Sequence, residues 1–367
     1  MHLLHFVSDQ FNEYNSSNFR VTIIATALRN AGHKVTILPI KDWLTQSSRG
    51  KLACSLADII IIQRVMVQES VQHAQMWIQN GKKVILDFDD AYDLIGEENS
   101  AYNFWGKGVV EIFLPNGTKY EQAMETHPVD LLKRGMSYLS GATMPSPLLA
   151  KDWSKYTKCH YLPNYLDGNV YNIPRGKTGK IILGWGGSMS HLTSWSGSGI
   201  DKALANIVNK RNDVKLLIVG DKRVVKQISG IIDPAKTEYL PYVTYMDWPM
   251  VLAKKFDIGL APLAGPYDCR RSRLKVMEYI ATGIPFVATR AMPYFELYDE
   301  IDNSFVPQGD VTKADEPNAQ EWEQLLNDKI NNFHNEQELA IERKKEWEQW
   351  YDVNRNISEI IGKYNLV

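Results

Sequence analysis

Short apolar runs alternate with amphipathic stretches along the first half of the chain. They predict five strands, at residues 2–7, 34–40, 57–64, 82–88 and 141–146, and the stretch FRVTIIATALRNAGH between the first two predicts a helix. Continuous apolar strands separated by helices are typical of a parallel sheet covered on both faces. The first half therefore predicts a doubly wound α/β domain.

The pattern pauses where Pro, Gly and Asn accumulate, at residues 159–180, and a second α/β series then begins. Its strands are predicted at residues 181–187, 214–220, 242–246, 256–263 and 284–289, and charged helical sequence follows from residue 321. A chain of 367 residues usually forms more than one core. We predict a first domain over 1–168, a linker over 169–180, a second domain over 181–345 and a C-terminal helix over 346–367 that packs on the first domain.

Composition narrows the class of protein only slightly. A hydrophobic content of 44% and a formal charge of -2 describe an ordinary globular protein without a strongly basic domain. The three cysteines have no CxxC or Cys/His spacing, so we expect reduced thiols and neither a disulfide nor zinc. Without a signal-peptide core or a long apolar run, we expect a cytoplasmic protein. The stretch KRVVKQISGIIDPAK could provide a basic face for peripheral contact with the inner membrane face, although a solvated helix face is the favoured interpretation.

The first candidate site is the stretch ILGWGGSMSH at residues 182–191. A strand runs into Gly186, Gly187 and Ser188, and His191 follows. Glycines at a strand end allow the backbone to approach a phosphate, and the serine can donate its hydroxyl. A tight turn without a ligand is the alternative.

The second candidate is RRSRLKVMEYIATGIPFVAT at residues 270–289. Cations normally avoid a helix N-terminus, where the macrodipole is already positive, so their accumulation here indicates a bound anion. A diphosphate held by Ser272, Arg273 and Lys275 fits this pattern. We also expect Ser272 to cap the helix.

Glu278 borders the apolar face of the same predicted helix. A carboxylate there needs a partner. Lys275 or Thr282 on the helix surface could provide one, and so could the diol of a ribose, whose two hydroxyls match two carboxylate oxygens. Position alone leaves these alternatives open.

The third candidate is the strand end ILDFDDAYDL at residues 85–94. Its carboxylates, including Asp89 and Asp90, could position an acceptor hydroxyl, accept its proton or hold a divalent metal. Helix capping by solvated acids is the alternative.

Five further residues are candidates for lining a cleft between the domains. Asn18 and Arg20 follow the polar loop after the first strand, although Ser17 or Asn18 could simply cap the next helix. Trp185, Tyr267 and Arg270 adjoin the second-domain sites along the chain, and aromatic rings suit stacking on sugars.

Taken in order, the motifs NAGHKVTIL, VILDFDDAYDL, LPNYLDGNVY, ILGWGGSMSH, DIGLAPL and RSRLKVMEYIATGIPFVAT resemble the retaining GT-B glycosyltransferases of family 4, also called group 1. The resemblance runs from about residue 2 to 350, and the last block is its most specific part. It implies a GT-B fold, with two Rossmann-like domains facing a cleft and a nucleotide-sugar donor on the second domain.

The resemblance also implies residue roles. Glu278 would hold the donor ribose, while Ser272, Arg273, Lys275 and the 186–188 turn would hold the diphosphate. Many relatives have a second glutamate eight residues before the position of Glu278, and this chain has Arg270 there. The contacts to the transferred sugar are therefore expected to differ.

The function expected from the resemblance is transfer of a hexosyl or pentosyl group to an acceptor hydroxyl with retention of anomeric configuration. A UDP-sugar is the first choice of donor and a GDP-sugar the second. Asp89 and Asp90 would position the acceptor, and His191 would hydrogen-bond near the donor. We expect no required cofactor and no metal. The acceptor is expected to be a glycan or cell-surface polymer, with a hydroxymethylated DNA base as a minority alternative. A nucleotide-sugar 2-epimerase and a catalytically silent binding subunit are the competing functions.

Overall fold

The structure of the protein, a computed structural model, describes residues 1–9, 15–113, 118–176, 179–228, 230–299 and 301–366. The chain forms two compact units. The first contains residues 1–9, 15–163 and 357–366, and the second contains the described residues between 164 and 356. The segment from 169, which the sequence suggested as a linker, belongs to the second unit, and residues 177–178 lie outside the described part.

The first unit is built on a six-stranded parallel sheet with the order β2-β1-β3-β4-β7-β8. Strands β1 and β3 are buried along their whole length, because helices cover both faces of the sheet. A separate antiparallel hairpin, β5-β6, is inserted after the fourth strand. The eight strands are β1 (His2–Val7), β2 (Lys34–Pro39), β3 (Ile59–Gln63), β4 (Lys83–Asp87), β5 (Val109–Phe113), β6 (Lys119–Ala123), β7 (Gly141–Met144) and β8 (Cys159–Tyr161).

Helices of this unit connect successive strands. A π-helical turn at Asn18–Thr22 runs directly into the first of them. The helices are α1 (Ile23–Asn30), α2 (Ile40–Leu44), α3 (Ser48–Leu56), α4 (Gln68–Gln79), α5 (Tyr102–Trp105), α6 (Pro128–Met136) and α7 (Pro147–Trp153).

The second unit has its own six-stranded parallel sheet, with the order β11-β10-β9-β12-β13-β14. Its core includes Trp185, Trp195 and Trp322, each fully buried. The strands are β9 (Ile181–Gly187), β10 (Val214–Gly220), β11 (Thr237–Leu240), β12 (Ile258–Ala261), β13 (Phe286–Thr289) and β14 (Phe305–Val306).

Eleven helices of the described chain belong to or follow this second series. They are α8 (Gly168–Tyr171), α9 (Leu192–Ser198), α10 (Ile200–Lys210), α11 (Lys222–Ile228), α12 (Trp248–Lys255), α13 (Gly265–Asp268), α14 (Leu274–Thr282), α15 (Ala319–Asn331), α16 (Phe333–Glu346), α17 (Glu348–Tyr351), and finally α18 (Ile357–Leu366), with which the chain returns to the first unit. Within the described residues, no helix is both long and apolar enough to span a membrane.

The two parallel sheets agree with the predicted fold class, but one predicted strand is wrong. Residues 242–246 form a loop, and the paired strand is β11, immediately before it. Pro241 has no N–H to donate to a sheet, and Tyr242 and Met246 are 59% and 66% exposed. Apolar composition therefore indicated a buried strand where the side chains face solvent.

Each sheet reverses its strand order once. In the first sheet the reversal lies between β1 and β3, and in the second it lies between β9 and β12. Ligands of open α/β sheets bind beyond the carboxyl ends of the strands at such reversals, because the connections leave on opposite sides and open a crevice. Each unit therefore has one position favoured for a ligand.

A buried histidine lies beneath the first sheet's strand ends. His5 is 1% exposed, and neither ring nitrogen has a hydrogen-bond partner among the described residues. Its ring packs edge-on against Tyr364 of α18, with 6.3 Å between ring centroids. Burial lowers the pKa of His5 to about 4, with Asp87 opposing the shift and Arg29 and Arg20 adding to it.

We predict that this histidine makes the protein acid-sensitive. In the unfolded chain the side chain of His5 takes up a proton near pH 6.5, whereas in the folded protein it does so only near pH 4. The contribution of His5 to the free energy of unfolding is therefore fully present above pH 6.5. It decreases by roughly 3 kcal/mol as the pH falls towards 4. Urea unfolding at pH 7.5, 5.5 and 4.5 measures the loss, and His5→Phe should flatten it. Parallel pH profiles for the two proteins would contradict the assignment.

Candidate functional site

The candidate site of the second unit lies at the reversal between β9 and β12. The turn after β9 contains Ser188, Ser190 and His191, and the segment after β12 leads through α13 to the N-terminus of α14. Helix α14 is buried from Val276 to Thr282, and it ends at Gly283, which adopts a φ of +67° that favours glycine. Core packing of α14 thus fixes where its first turn meets the turn after β9.

Lys275, in the first turn of α14, reaches across to the end of β9. Its ammonium donates to the main-chain oxygen of Gly186 and lies 5.1 Å from the ring centroid of Trp185. Burial lowers the pKa of Lys275 to about 8; Glu278 opposes the shift and Arg271 adds to it. The amine is therefore still mainly protonated at pH 7, and a nearby anion would stabilise that form.

Arg271 joins the same cluster from the segment before α14. Its guanidinium donates to Ser190 Oγ at 2.8 Å and lies 3.0 Å from His191 Nδ1. Because a guanidinium can only donate, Nδ1 is an acceptor and the imidazole proton is on Nε2. Burial, followed by Arg271 and Lys275, holds the pKa of His191 well below its ordinary value. His191 is therefore a neutral hydrogen-bond donor rather than a cation at neutral pH.

A buried carboxylate supports this cluster from below. Asp268 is 1% exposed and accepts from the hydroxyl of Ser194 at 2.5 Å and from the main-chain N–H of Ala264 at 3.0 Å. It also lies 3.5 Å from Arg271. Burial raises the pKa of Asp268 despite the neighbouring arginine. This residue, which sequence reasoning missed, ties the segment after β12 to α9 and positions Arg271.

The remaining basic side chains of the 270–275 run point elsewhere. Arg273 is 4% exposed, pairs with Glu296 and donates to the main-chain oxygen of Trp350 at 2.6 Å. Arg270 donates to the main-chain oxygen of Pro266 at 2.8 Å. The run therefore divides, and its cations are partly neutralised within the protein instead of converging on one anion.

Two expectations about this segment need correction. Ser272 does not cap α14, because Arg273 occupies the N-cap position and no side chain caps the helix. Trp185 does not offer a stacking face, because it is fully buried against Trp195, at 5.4 Å between ring centroids. The indole supports Lys275 and the turn after β9.

Glycines after β9 make room for aromatic rings. A Cβ atom at Gly186 would overlap the ring of Trp248, and one at Gly187 would overlap the ring of Trp185. Close packing therefore accounts for glycine at both positions, independently of any phosphate. Ser188, just beyond them, is exposed, and its hydroxyl lies 2.8 Å from that of Ser190.

Glu278 has a partner that neither sequence alternative included. Its carboxylate accepts a hydrogen bond of 2.7 Å from the hydroxyl of Tyr171, in α8, and the glutamate is only 3% exposed. Thr282 donates to the main-chain oxygen of Glu278 and not to its carboxylate. Lys275 lies near enough to affect it electrostatically. Tyr171 comes from LPNYLDGNVY, more than 100 residues earlier, so no local spacing could indicate the contact.

The first unit contains a polar network at its own strand reversal. Arg64, directly after β3, donates to both carboxylate oxygens of Asp89, at 2.8 and 2.9 Å, and to Asp9 at 2.6 Å. Asp9, just after β1, also accepts from the hydroxyl of Ser17 at 2.7 Å. Arg64 adopts a φ of +61°, which is uncommon for a residue with a side chain. Its guanidinium therefore links the ends of three neighbouring strands.

The predicted first-unit residues occupy different parts of this network. Burial acts to raise the pKa of Asp89, but Arg64 outweighs it and the pKa is lowered. Asp90 is half-buried, and its main-chain oxygen accepts from the N–H of Tyr92 at 3.0 Å. Asn18 is buried and accepts from the N–H of Asn15 at 2.9 Å.

The prediction that Arg20 lines a cleft is wrong. Its side chain is fully buried and pairs with Asp87, which also accepts from Thr143 at 2.6 Å. The guanidinium therefore holds the end of β4 in place and does not line a cleft. Residues 12–14 of the polar loop before it lie outside the described residues.

Tyr267 adjoins the basic cluster of the second unit. Arg271 lies over its ring at 5.2 Å from the centroid. Among the described residues, no group of three or more His, Cys, Asp and Glu side chains is arranged to hold a metal ion.

Comparison with known proteins gives one family match. Residues 190–328 match the family described as "Glycosyl transferases group 1". This region contains His191, Arg271, Lys275 and Glu278. No curated protein matches the chain significantly.

Solved structures show the same fold at low sequence identity. The catalytic domain of starch synthase IV from Arabidopsis thaliana, bound to ADP and acarbose, matches 100% of this chain and 98% of its own, with a TM-score of 0.61 and 10% identity. WaaG, a glycosyltransferase involved in lipopolysaccharide biosynthesis, matches 98% of both chains, with a TM-score of 0.59 and 12% identity. TarM from S. aureus, in complex with fondaparinux, alpha-GlcNAc-glycerol and UDP, matches over 84% of this chain with a TM-score of 0.55 and 12% identity, and the matched part is 55% of TarM.

The two parallel sheets and these structural matches define a GT-B fold, the architecture expected from the sequence. The family match adds a similarity of residues 190–328 to glycosyltransferases of group 1.

We predict that Tyr171→Phe destabilises the protein more than an equivalent change at another buried tyrosine. The variant leaves the buried carboxylate of Glu278 without this donor, at a cost of about 1.5–3 kcal/mol. Tyr351→Phe is the matched control, because its hydroxyl donates to a main-chain oxygen, that of Lys344, at 3.0 Å, and its loss should cost only about 0.5–1.5 kcal/mol. Urea unfolding measures both, and equal losses would contradict a special role for the Tyr171 contact.

Proposed function

We propose that the second unit binds a nucleotide diphosphate sugar and that the enzyme transfers the sugar to an acceptor hydroxyl with retention of anomeric configuration. A UDP-sugar is the first choice of donor and a GDP-sugar the second. The observation that best supports this proposal is the convergence of Arg271, Lys275 and His191 beside the turn after β9. The UDP bound in the TarM structure and the ADP bound in starch synthase IV are consistent with a nucleotide as ligand.

The basic cluster suits a departing diphosphate. Arg271 and Lys275 supply positive charge, and neutral His191 supplies an Nε2–H donor, so negative charge developing on the leaving group would be stabilised. Ser188 and Ser190 add hydroxyl donors at the same turn. Arg273, which the resemblance implied for this role, acts instead through its contacts to Glu296 and Trp350.

Glu278 is proposed to bind the donor ribose. Tyr171 donates to one oxygen of the carboxylate and fixes its orientation, and a carboxylate can accept hydrogen bonds from both hydroxyls of a ribose diol. Arg270 and Tyr267, on the segment that leads into α14, are proposed to adjoin the transferred sugar.

In the proposed reaction, the acceptor oxygen bonds to the anomeric carbon on the face from which the diphosphate departs. The bond between that carbon and the diphosphate oxygen breaks, its electron pair stays on the diphosphate, and the diphosphate oxygen takes the acceptor's proton. The acceptor, proposed to be a glycan or cell-surface polymer, would be held by the first unit. Asp90 would act on it directly and Asp89 through Arg64.

The first experiment is a thermal-shift panel with UDP, GDP, ADP, CMP and TDP. A nucleotide at 100 times its dissociation constant should raise the melting temperature by roughly 5–10 °C. We expect UDP to give the largest rise and Glu278→Ala to abolish it. Glu278→Gln keeps the shape of the side chain and removes its charge, so it should lose only part of the shift. The donor assignment would be wrong if every nucleotide left the wild-type melting temperature unchanged.

A second prediction separates two adjacent arginines. Arg271→Ala should weaken binding of the nucleotide diphosphate by about tenfold or more, because a charge-assisted contact is worth about 1.5–3 kcal/mol. Arg270→Ala should change it less than threefold, because that side chain binds main-chain oxygens away from His191. Isothermal titration calorimetry measures both constants, and a larger loss for the Arg270 variant would reverse the assignment.

A further inference from the structure

The first unit contains a cavity of about 250 Å³ at its strand reversal. It lies beyond the carboxyl ends of β1 and β3, the position at which a sheet of this order opens a crevice. We call it the switch-point cavity. Its lining residues are Ser8, Asp9, Arg64, Val65, Met66, Val67, Phe104, Trp105, Pro128 and Leu131.

One side of the switch-point cavity is apolar and aromatic. Tyr92 stacks on one face of Trp105, with 4.0 Å between ring centroids and an interplanar angle of 13°. The cavity therefore meets the remaining face or edge of that indole. Phe104 packs edge-on against Trp105, which fixes the orientation of the indole. A rigid aromatic wall of this kind suits the C–H face of a ring or an aromatic substituent.

The other side is polar and carries a net negative charge. Asp9 and Arg64 are the charged residues among those that line the cavity, and Arg64 is shared with the carboxylate of Asp89. Two carboxylates thus surround one guanidinium, which leaves one negative charge in excess. Side chains of Asp9 and Arg64 are 14% and 24% exposed, so a ligand can reach them. Carboxylate oxygens accept hydrogen bonds from hydroxyl groups but repel a second anion.

The backbone at this position is held in an uncommon conformation. Arg64 has a φ of +61°, and its side-chain bonds to Asp9, Asp89 and Ser16 keep it there. Non-glycine residues in the left-handed region cluster at binding and active sites, where surrounding contacts maintain the strain.

Cavity size limits what can be accommodated. Pockets for drug-sized ligands usually have volumes of about 300–1,000 Å³, so a cavity slightly below that range accommodates one ring and its immediate substituent. It does not enclose several residues of a polymer.

We propose that the switch-point cavity binds the acceptor through a single neutral, hydroxyl-bearing sugar ring with an aromatic or apolar substituent, and that it disfavours anionic groups. The hydroxyls bond to the Asp9 end, and the ring or its substituent packs on Trp105. This assignment rests on the proposed function for its biological meaning, but the binding itself does not depend on the donor site.

Two probes that differ only at one sugar carbon test the charge selectivity. These are 4-nitrophenyl β-D-glucopyranoside, which is neutral, and 4-nitrophenyl β-D-glucuronide, which carries a carboxylate. We expect the full-length protein to bind the glucoside at least about tenfold more tightly, since like charges repel each other at a desolvated contact. Ligand-observed NMR titration measures both affinities. Equal or tighter binding of the glucuronide would overturn the proposal.

Variants of the lining test the location. Val67→Phe fills the cavity and Trp105→Ala removes its aromatic wall, and each should weaken glucoside binding at least about tenfold. Leu52→Phe, at a position that is 63% exposed on α3, is the matched control and should leave it unchanged. Trp105→Phe should retain most of the affinity, and it provides a test should Val67→Phe fail to fold. Wild-type affinity in both Val67→Phe and Trp105→Ala would place the glucoside elsewhere and refute the proposal.

UDP binding, measured on the same samples, separates this proposal from the donor assignment. UDP affinity should be unchanged in the cavity variants. Binding of UDP without any binding of the glucoside would refute the cavity proposal alone. Binding of the glucoside at the cavity without UDP would support the cavity and count against the proposed donor site.

Discussion

The reversal of strand order in each parallel sheet is the constraint on which the rest of this structure depends. Neighbouring strands that run the same way end at the same edge, and a reversal parts the connecting segments there. Most side chains assigned to ligands follow β1, β3 or β4 in the first unit, or β9 and β12 in the second. Chemistry is thus concentrated by topology before any particular side chain is considered.

Charge balance then determines which residues remain available at those edges. A buried guanidinium needs a partner, and Arg20 and Arg273 have carboxylates that hold them inside the fold. Arg271 and Lys275 are also supported, but by a buried acid and a main-chain oxygen that leave the pair beside His191. An arginine can therefore stabilise the protein interior, as Arg20 and Arg273 do, or contribute to the candidate site, as Arg271 does.

Much of the fold could be predicted from sequence, because a strand that is covered on both faces of its sheet is mostly apolar. β1, β3, β4 and β9 were recognisable for that reason. The short strands β8, β11 and β14 were missed, and the exposed loop at 242–246 was mistaken for a strand. Local composition does not report whether a few apolar residues face the core or solvent.

Strand-end reasoning also located the turn after β9 and the first turn of α14, but it could not assign the direction of individual side chains. The four basic residues between 270 and 275 contact different partners, and only tertiary structure distinguishes Arg271 from Arg273. Asp9 and Arg64 could have been found, because both lie at the ends of predicted strands: Arg64 is the last residue of the strand at 57–64, and Asp9 comes two residues after the strand at 2–7. Tyr171 and Asp268 could not, since nothing near them in the sequence indicates what they contact.

The position of α18 has a consequence for synthesis of the chain. The second unit is inserted into the first, whose sheet is complete by Tyr161 but whose packing against His5 uses Tyr364. A ribosome must therefore synthesise the whole second unit before Tyr364 is available to pack against His5 in the first unit. Until then, the surface around His5 that α18 covers stays exposed on the first unit. The second unit can fold before α18 packs onto the first.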